Sequence, residues 1–260
     1  MALARPLPTT LSPSKVSAFK NCPLAFRFSA IDRIPEPPSP ATSKGTLVHR
    51  ALELLMVRPP HERTADHAVA DLEVAKAEMA EHPDIVDLEM TDDAWQQFYA
   101  DAERLTLNLF SLEDPASINA IGLEVMMGVH IDGVMVRGII DRLELDAAGE
   151  LIVTDYKTGR APREGFEKSK LSGVEFYALL CEEMLGQRPA RVQLLHLSEP
   201  EVIAYEPTAG TTRGVRQRAG AVWQAVKRAC ATDDFRPRPG PLCDWCTYKA
   251  YCPAFGGNPD

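Results

Sequence analysis

The 260-residue chain lacks the apolar segments that would insert it into a membrane or export it. No run approaches the roughly eighteen apolar residues of a transmembrane helix. The opening stretch, MALARPLPTTLSPSK, has no continuous apolar centre of the kind found in an export signal. The phosphate-binding pattern G-x-x-x-x-G-K-[ST] is also absent. We therefore expect a cytoplasmic chain that does not contact the membrane and binds no ATP.

Cysteine is scarce, and its six positions are unevenly distributed. In the C-terminal segment RPRPGPLCDWCTYKAYCPAF, Cys243, Cys246 and Cys252 have the spacing C-x2-C-x5-C, and Cys22 is a fourth candidate far upstream. Without an export signal, such a pattern favours metal or cluster ligation over a disulfide framework. Zinc and an iron–sulfur cluster both accept thiolate ligands. Zinc ribbons usually supply their ligands as two local pairs, whereas this division is one plus three.

Positive charge is in deficit overall, but the deficit is local. The chain has a net charge of −9, and residues 60–115 alone hold fifteen Asp and Glu against three Lys and Arg. That segment carries −12, so the remainder carries +3. Local charge rather than the total steers a polyanion towards a protein. The acidic total therefore does not exclude a nucleic-acid partner.

Residues 136–159, VRGIIDRLELDAAGELIVTDYKTG, carry the strongest chemical pattern. Two β-rich runs joined by a short Ala-Ala-Gly turn predict an antiparallel hairpin. Asp155 and Lys157 are two residues apart on the second strand, so their side chains share a face. The partner strand can bring Asp141 alongside, and this combination suits a divalent cation and an activated water. An ordinary cross-strand ion pair is the alternative, because D-x-K triplets recur by chance.

Periodicity and turn residues predict the other elements. Helices are expected over residues 11–31, with Ser12 as N-cap and a break at Pro23, from about Ser43, twice within 61–111, from Ser172 and over 212–231. Strands are expected on either side of the Asp132–Gly133 turn and again in ARVQLLHLS and EVIAYEP. Glu124 lies on the first of these strands. It is either a site residue or a carboxylate that faces solvent.

The motifs, taken in order, resemble those of the PD-(D/E)XK nuclease superfamily and, within it, of the RecB-like exonucleases. G-I-I-D-R followed by D-Y-K-T-G carries the likeness, and G-T-L-V-H-R-A-L-E resembles the G-x-x-x-H helix of RecB-like and CRISPR-associated adaptation nucleases. The resemblance implies an α/β fold in which a restriction-endonuclease-like mixed sheet is flanked by helices. It also implies a single nuclease domain over residues 1–260. That domain would include a helical insertion at 60–115 and a cysteine-rich tail at 236–260 that pairs with Cys22.

Five site residues follow from the resemblance. Asp141, Asp155 and His49 would ligate Mg²⁺ or Mn²⁺, and the imidazole would favour manganese. Lys157 would orient or help deprotonate the attacking water. Tyr177 would contact DNA or position the lysine.

The four clustered cysteines also match a known pattern. Cys22, Cys243, Cys246 and Cys252 have the order and spacing of the iron–sulfur ligands in AddB-type and CRISPR-associated adaptation nucleases. The resemblance therefore implies a 4Fe-4S cluster that ties the two ends of the chain together.

The expected activity is that of a metal-dependent DNA exonuclease that acts on single strands or ends. Its pathway would be DNA repair and recombination or CRISPR adaptation, with a helicase or integrase as partner. Two alternatives remain open. Gly173 stands where the family's Q-x-x-x-Y pattern has glutamine, which points to a catalytically weak iron–sulfur DNA-binding subunit. The chain could also be an iron–sulfur assembly protein with a structural role.

Basic residues in two segments are candidate DNA contacts. One is the loop of residues 160–170, with Arg160, Arg163, Lys168 and Lys170, and the other is the helix of residues 212–228. A run of charge is usually a solvated face, which is the alternative for both.

Overall fold

The computed structural model describes residues 4–162 and 167–259, without the side chains of residues 167–172. The predicted basic loop is therefore only partly covered. Arg163 lies outside the described residues, and so do the side chains of Lys168 and Lys170.

Eight α-helices and six strands form within the described part of the chain. The helices are α1 (Pro13–Asn21), α2 (Pro23–Phe26), α3 (Pro40–Val57), α4 (Ala65–Met79), α5 (Pro83–Val86), α6 (Asp92–Leu112), α7 (Glu167–Leu185) and α8 (Ala209–Thr232). The strands are β1 (Thr10–Leu11), β2 (Asn119–Ile131), β3 (Val134–Leu145), β4 (Leu151–Lys157), β5 (Arg191–His196) and β6 (Glu201–Tyr205). None of these helices combines the length and the apolar content needed to cross a membrane.

The strands form one mixed sheet in the order β1-β3-β4-β5-β6, with β2 paired to β3. Strand β1 runs parallel to β3, β3 antiparallel to β4, β4 parallel to β5 and β5 antiparallel to β6. A mixed sheet with helices packed on it confirms the predicted α/β fold class. The predicted Asp132–Gly133 turn is also confirmed, because both residues have the positive φ (50° and 82°) that a two-residue hairpin turn requires.

The chain divides into two compact units. Unit 1 comprises Met1–Pro37, Gly128–Gly138 and Ala209–Asp260, and unit 2 comprises Pro38–Met127 and Ile139–Thr208. All four clustered cysteines belong to unit 1. The histidine and the acidic residues proposed as metal ligands belong to unit 2.

The predicted helix over residues 11–31 is divided into three segments. Ser12 caps α1 as expected, since its hydroxyl accepts the N–H of Lys15 at 3.2 Å. Helix α1 stops at Cys22 because Pro23 has no N–H to continue it, and Pro23 instead begins α2. A π-helical turn, Arg27–Ile31, completes the segment. The proline therefore places Cys22 at the junction of two helices.

Helix α3 begins three residues before the position expected from its apolar pattern. Ser39 and Thr42 form a capping box, in which each side chain bonds the other's backbone N–H at 3.2 Å. Pro40 occupies the first helical position, where a missing N–H costs nothing. The helix thus begins inside the proline-rich stretch of residues 35–41, PEPPSPA.

The acidic segment forms helices that pack into the core of unit 2. Helices α3, α4 and α6 share a buried apolar cluster with Tyr156, Leu195 and Leu197 of the sheet region. Helix α7 packs against β4 and β5. Because successive side chains of a strand alternate between faces, Asp155 and Lys157 lie on the opposite face from Tyr156.

Unit 1 is held by helix contacts and by aromatic residues. Helix α1 packs on α8, and the ring of Phe28 lies 5.5 Å from the ring of Tyr248. The Tyr248 hydroxyl donates to Glu36 at 2.7 Å. Gly220 of α8 has no room for a side chain, since a Cβ there would overlap a carboxylate oxygen of Asp132.

Leu72 tests whether the acidic helices are part of the core. Its side chain is fully buried in α4, whereas Val74 on the same helix is 46% exposed. We expect Leu72→Ala to lower the free energy of unfolding by about 2–5 kcal/mol, because it leaves a cavity. Val74→Ala is the matched control, with an expected change of about 0.5 kcal/mol or less. Urea unfolding measures the change for both variants. Equally small changes in the free energy of unfolding would mean that these helices are not part of the cooperatively folded core.

Candidate active site

The site lies where strands β3 and β4 part. Their antiparallel pairing runs from Leu145 opposite Leu151 to Arg142 opposite Thr154 and ends there. Asp141 and Asp155 are the next residues on the two strands. The Asp141 carboxylate accepts the backbone N–H of Tyr156 at 2.7 Å. The Asp141 side chain therefore accepts the N–H of β4 that a backbone carbonyl of β3 would accept if the ladder continued.

Asp155 and Lys157 share a face, as the spacing predicted, and their side chains form a direct ion pair. The lysine side chain is 44% exposed and the aspartate 4%. The Lys157 ammonium group is therefore accessible to a ligand that enters from solvent, whereas the Asp155 carboxylate is held in the interior. The Tyr177 hydroxyl donates a hydrogen bond to Asp155. Burial, followed by the charges of Asp155 and Asp141, raises the pKa of this tyrosine well above its usual range, so it remains a donor.

His49 reaches the site from α3, and the glycine of the G-x-x-x-H pattern explains how. A Cβ on Gly45 would lie only 3.3 Å from the Thr158 hydroxyl, so a glycine permits the close approach of the helix. One turn later, His49 Nδ1 lies 3.4 Å from Asp141 Oδ2. Its ring contacts Tyr156 edge to face, with centroids 6.0 Å apart.

Glu124 lies beside His49 and Asp141, a position that the sequence left undecided. The ligand atoms of His49, Glu124 and Asp141 all lie within 4.8 Å of one another. Glu124 has a left-handed backbone (φ 46°) inside β2, a conformation that costs about 1–2 kcal/mol in a non-glycine residue. Strained backbone of this kind clusters at functional sites. The sequence pattern of β2 does not indicate this left-handed conformation at Glu124.

The carboxylates of the site repel one another. Burial, followed by the charges of Asp141, Glu53 and Asp155, raises the pKa of Glu124 to about 7. The pKa of Asp141 is also raised, first by burial and then by Asp155. A divalent cation would relieve this crowding, and carboxylates with one imidazole are ligands that Mg²⁺ and Mn²⁺ accept. The donor set therefore fits the ion on which the predicted chemistry depends.

A buried ion-pair network holds Tyr156 in place. Arg142 is fully buried and donates to both carboxylate oxygens of Glu113, at 2.5 and 2.8 Å. It also donates to the Tyr156 hydroxyl at 2.7 Å. Its Nε lies 2.5 Å from a Glu144 oxygen. Tyr156 is thus held at its hydroxyl by Arg142, and its backbone N–H in turn holds the Asp141 carboxylate.

The four clustered cysteines lie around a cavity of about 500 Å³ in unit 1. Backbone N–H groups point at two of their sulfurs, from Arg238 to Cys22 at 3.4 Å and from Gly240 to Cys243 at 3.3 Å. Burial and then the neighbouring thiols raise the pKa of Cys246, which the N–H of Tyr248 opposes. The two other cysteines, Cys181 and Cys230, are buried in α7 and α8.

The spacing of these sulfurs bears on the kind of centre they suit. Among the described residues, His49, Glu124 and Asp141 are the one group of three or more His, Cys, Asp or Glu with ligand atoms within 4.8 Å of one another. No three of the cysteine sulfurs are therefore that close. A tetrahedral zinc ion requires sulfurs about 3.8 Å apart, from Zn–S bonds of about 2.3 Å. No three cysteine sulfurs of the described residues meet that requirement.

The chain belongs to the PD-(D/E)XK nuclease superfamily, whose family model matches residues 10–253. The gene 69 protein of Mycobacterium phage L5 is 29% identical over 136 residues, which are 51% of this chain and 44% of that protein. The chain thus spans less than half of the L5 relative. The gene 69 protein of Mycobacterium phage D29 is 25% identical over 271 aligned positions, which cover 94% of this chain and 96% of that protein.

A solved structure has the same fold. It is the crystal structure of a candidate exonuclease from Eubacterium rectale, with a TM-score of 0.58 and 13% sequence identity. The match covers 92% of this chain and 88% of that protein. At this identity the likeness supports the fold alone.

Glu124 can be tested as a ligand by metal titration. We expect Glu124→Gln to weaken Mn²⁺ binding by about tenfold or more, because even residues that only support a ligand typically cost that much. Glu150→Gln is the control, since this exposed glutamate lies in the β3–β4 turn. Calorimetric titration with Mn²⁺ measures both variants. Equal affinity in Glu124→Gln and the wild type would remove Glu124 from the ligand set.

Proposed function

We propose that this chain is a metal-dependent DNA exonuclease that acts on single strands or DNA ends. The observation that carries the proposal is the convergence of Asp141, Asp155 and Lys157 where β3 and β4 part, with His49 and Glu124 beside them. The superfamily supplies the reaction class, hydrolysis of a phosphodiester bond. The exonucleolytic mode is part of the proposal, which takes it from the exonuclease description of the similarly folded Eubacterium rectale protein.

Each side chain has a proposed role. His49, Glu124, Asp141 and Asp155 would hold Mg²⁺ or Mn²⁺, which when bound activates water and offsets charge on the phosphate. Lys157, half-exposed beside Asp155, would orient the attacking water and stabilise the charge that develops on the phosphate oxygens. Tyr177 keeps Asp155 in place through its hydrogen bond.

The cysteines would bind a 4Fe-4S cluster. Two observations support this choice over zinc: the one-plus-three division of the ligands and the backbone N–H groups directed at two of the sulfurs. Closing a loop from Cys22 to Cys252 costs about 5 kcal/mol of chain entropy. Cluster binding would offset that cost. The described cysteines form no disulfide, which suits the proposed location in the reducing cytoplasm.

The proposed partners are DNA and a helicase or integrase, in DNA repair and recombination or in CRISPR adaptation. A second candidate is a catalytically weak iron–sulfur DNA-binding subunit that acts with such a motor or integrase. Gly173 favours it, because this residue stands where the family has glutamine.

Two substitutions distinguish a loss of catalysis from a loss of structure. Asp155→Asn replaces a carboxylate with a neutral amide, which is a poorer ligand for a hard cation. Lys157→Ala removes a preorganised positive charge, which commonly costs about a hundred- to a thousandfold in rate. Both variants should still bind DNA and retain the iron–sulfur cluster.

The measurement is cleavage of an end-labelled single strand at saturating Mn²⁺. Asp93→Asn, in the exposed first turn of α6, is the control and should cleave at the wild-type rate. Undiminished cleavage by both site variants would mean that the hairpin has no catalytic role. Cleavage of circular as readily as linear strands would argue against an exonuclease.

The cluster can be tested by colour and metal content. Anaerobically purified protein should be brown, with an absorption shoulder at about 400 nm from thiolate-to-iron charge transfer. Cys22→Ala should bleach it as fully as Cys246→Ala. The buried Cys181→Ala and Cys230→Ala are the controls and should keep the colour. A colourless protein with one zinc per chain would contradict the assignment.

A further inference from the structure

Trp245 has the most exposed large apolar side chain of the described residues, with 86% of its surface accessible. It lies between Cys243 and Cys246, so the loop that carries it is held on both sides by residues that line the cysteine cavity. Tyr251 and Phe255 follow it and are also exposed. Contiguous exposed apolar side chains with a polar rim mark binding surfaces.

The surroundings of Trp245 are cationic. Lys20, Arg238 and Lys249 line the same cavity, and the ammonium of Lys249 lies 4.7 Å from the ring centre of Phe255. Two carboxylates are near: Glu36 accepts the Tyr248 hydroxyl, and Asp244 lies 3.9 Å from Lys249 Nζ. The three cations exceed these two acids, and one of the acids is occupied by a tyrosine.

The charge of the whole unit agrees with this local excess. Unit 1 contains fourteen Lys and Arg and seven Asp and Glu, a net charge of +7, although the chain as a whole carries −9. Unit 2 therefore carries −16. Positive charge in this chain is concentrated in the unit that bears the exposed indole.

We propose that the exposed rim of this cavity at Trp245 binds unpaired nucleotides of a nucleic-acid strand, with a base stacked on Trp245 and phosphates beside Lys20, Arg238 and Lys249, while the cysteine side of the cavity remains for the proposed cluster. The inference rests on the proposed function in so far as nucleic acid is the substrate, but it concerns a separate site. Aromatic stacking tolerates every base, and cations follow the backbone, so binding is independent of sequence. A base inside a duplex has both faces covered, so the site prefers single strands. A protein segment would not require the cationic rim.

The test compares three replacements of one side chain. Binding of fluorescein-labelled oligo(dT) is measured by anisotropy without added divalent cations, so that no cleavage occurs. We expect Trp245→Ala to weaken binding by about tenfold, the loss of one stacked base. Trp245→Phe keeps an aromatic face and should stay within about threefold of the wild type, whereas Trp245→Leu should resemble Trp245→Ala.

Val57→Ala is the control for exposure of an apolar side chain. Val57 is 70% exposed but lies at the end of α3 in unit 2, and its replacement should not change the affinity. Trp245→Leu with wild-type affinity would overturn stacking and favour an apolar protein partner. Equal affinity of the wild type for duplex and single strands would also overturn the proposal.

A second readout does not depend on folding of the alanine variant. Oligo(dT) should quench the intrinsic fluorescence of the wild type, and the quenching should be lost in Trp245→Phe although binding persists. Metal content and colour, equal in all variants, show that the cysteine loop is intact. Cleavage without any effect at Trp245 would refute this site and leave the proposed function standing. An effect at Trp245 without cleavage would do the reverse.

Discussion

The hydrogen bond between the Asp141 carboxylate and the Tyr156 N–H is the contact on which the candidate site depends. It forms where the β3–β4 ladder has ended, so it holds the two strands in register for one further residue. Asp141 thereby stays beside Asp155, and His49 stays within 3.4 Å of Asp141. Without it, the two carboxylates would separate, because their charges repel.

Tyr156 can serve this purpose because the interior fixes it. Its hydroxyl bonds Arg142, which in turn bonds Glu113 at the C-terminal end of α6. A buried arginine is costly unless its partners surround it. Here the partners come from β3, β4 and the acidic helical segment. That segment therefore contributes to the site as well as to the core, since Glu113 at its end holds the arginine that fixes Tyr156.

Charge is divided between the two units. Unit 2 is strongly acidic, and its site adds crowded carboxylates that a divalent cation would neutralise. Unit 1 is basic and carries the cysteine loop with its exposed indole. The proposed polyanionic substrate would thus be attracted to unit 1, whereas in unit 2 it would meet positive charge chiefly at Lys157 and at the proposed cation. The negative net charge of the chain hides this division.

The sequence by itself determined the α/β class, the β3–β4 hairpin and the shared face of Asp155 and Lys157, because strand periodicity and turn chemistry are local. It also made the four cysteines candidates through their spacing, and His49 through its resemblance to the G-x-x-x-H helix of known nucleases. Only the tertiary structure placed Glu124 in the site, since a left-handed residue inside a strand leaves no trace in the pattern. The Arg142 network and the exposure of Trp245 were likewise decided by the fold. Burial and pairing depend on residues far apart in the chain, and local sequence patterns do not show which of them will meet.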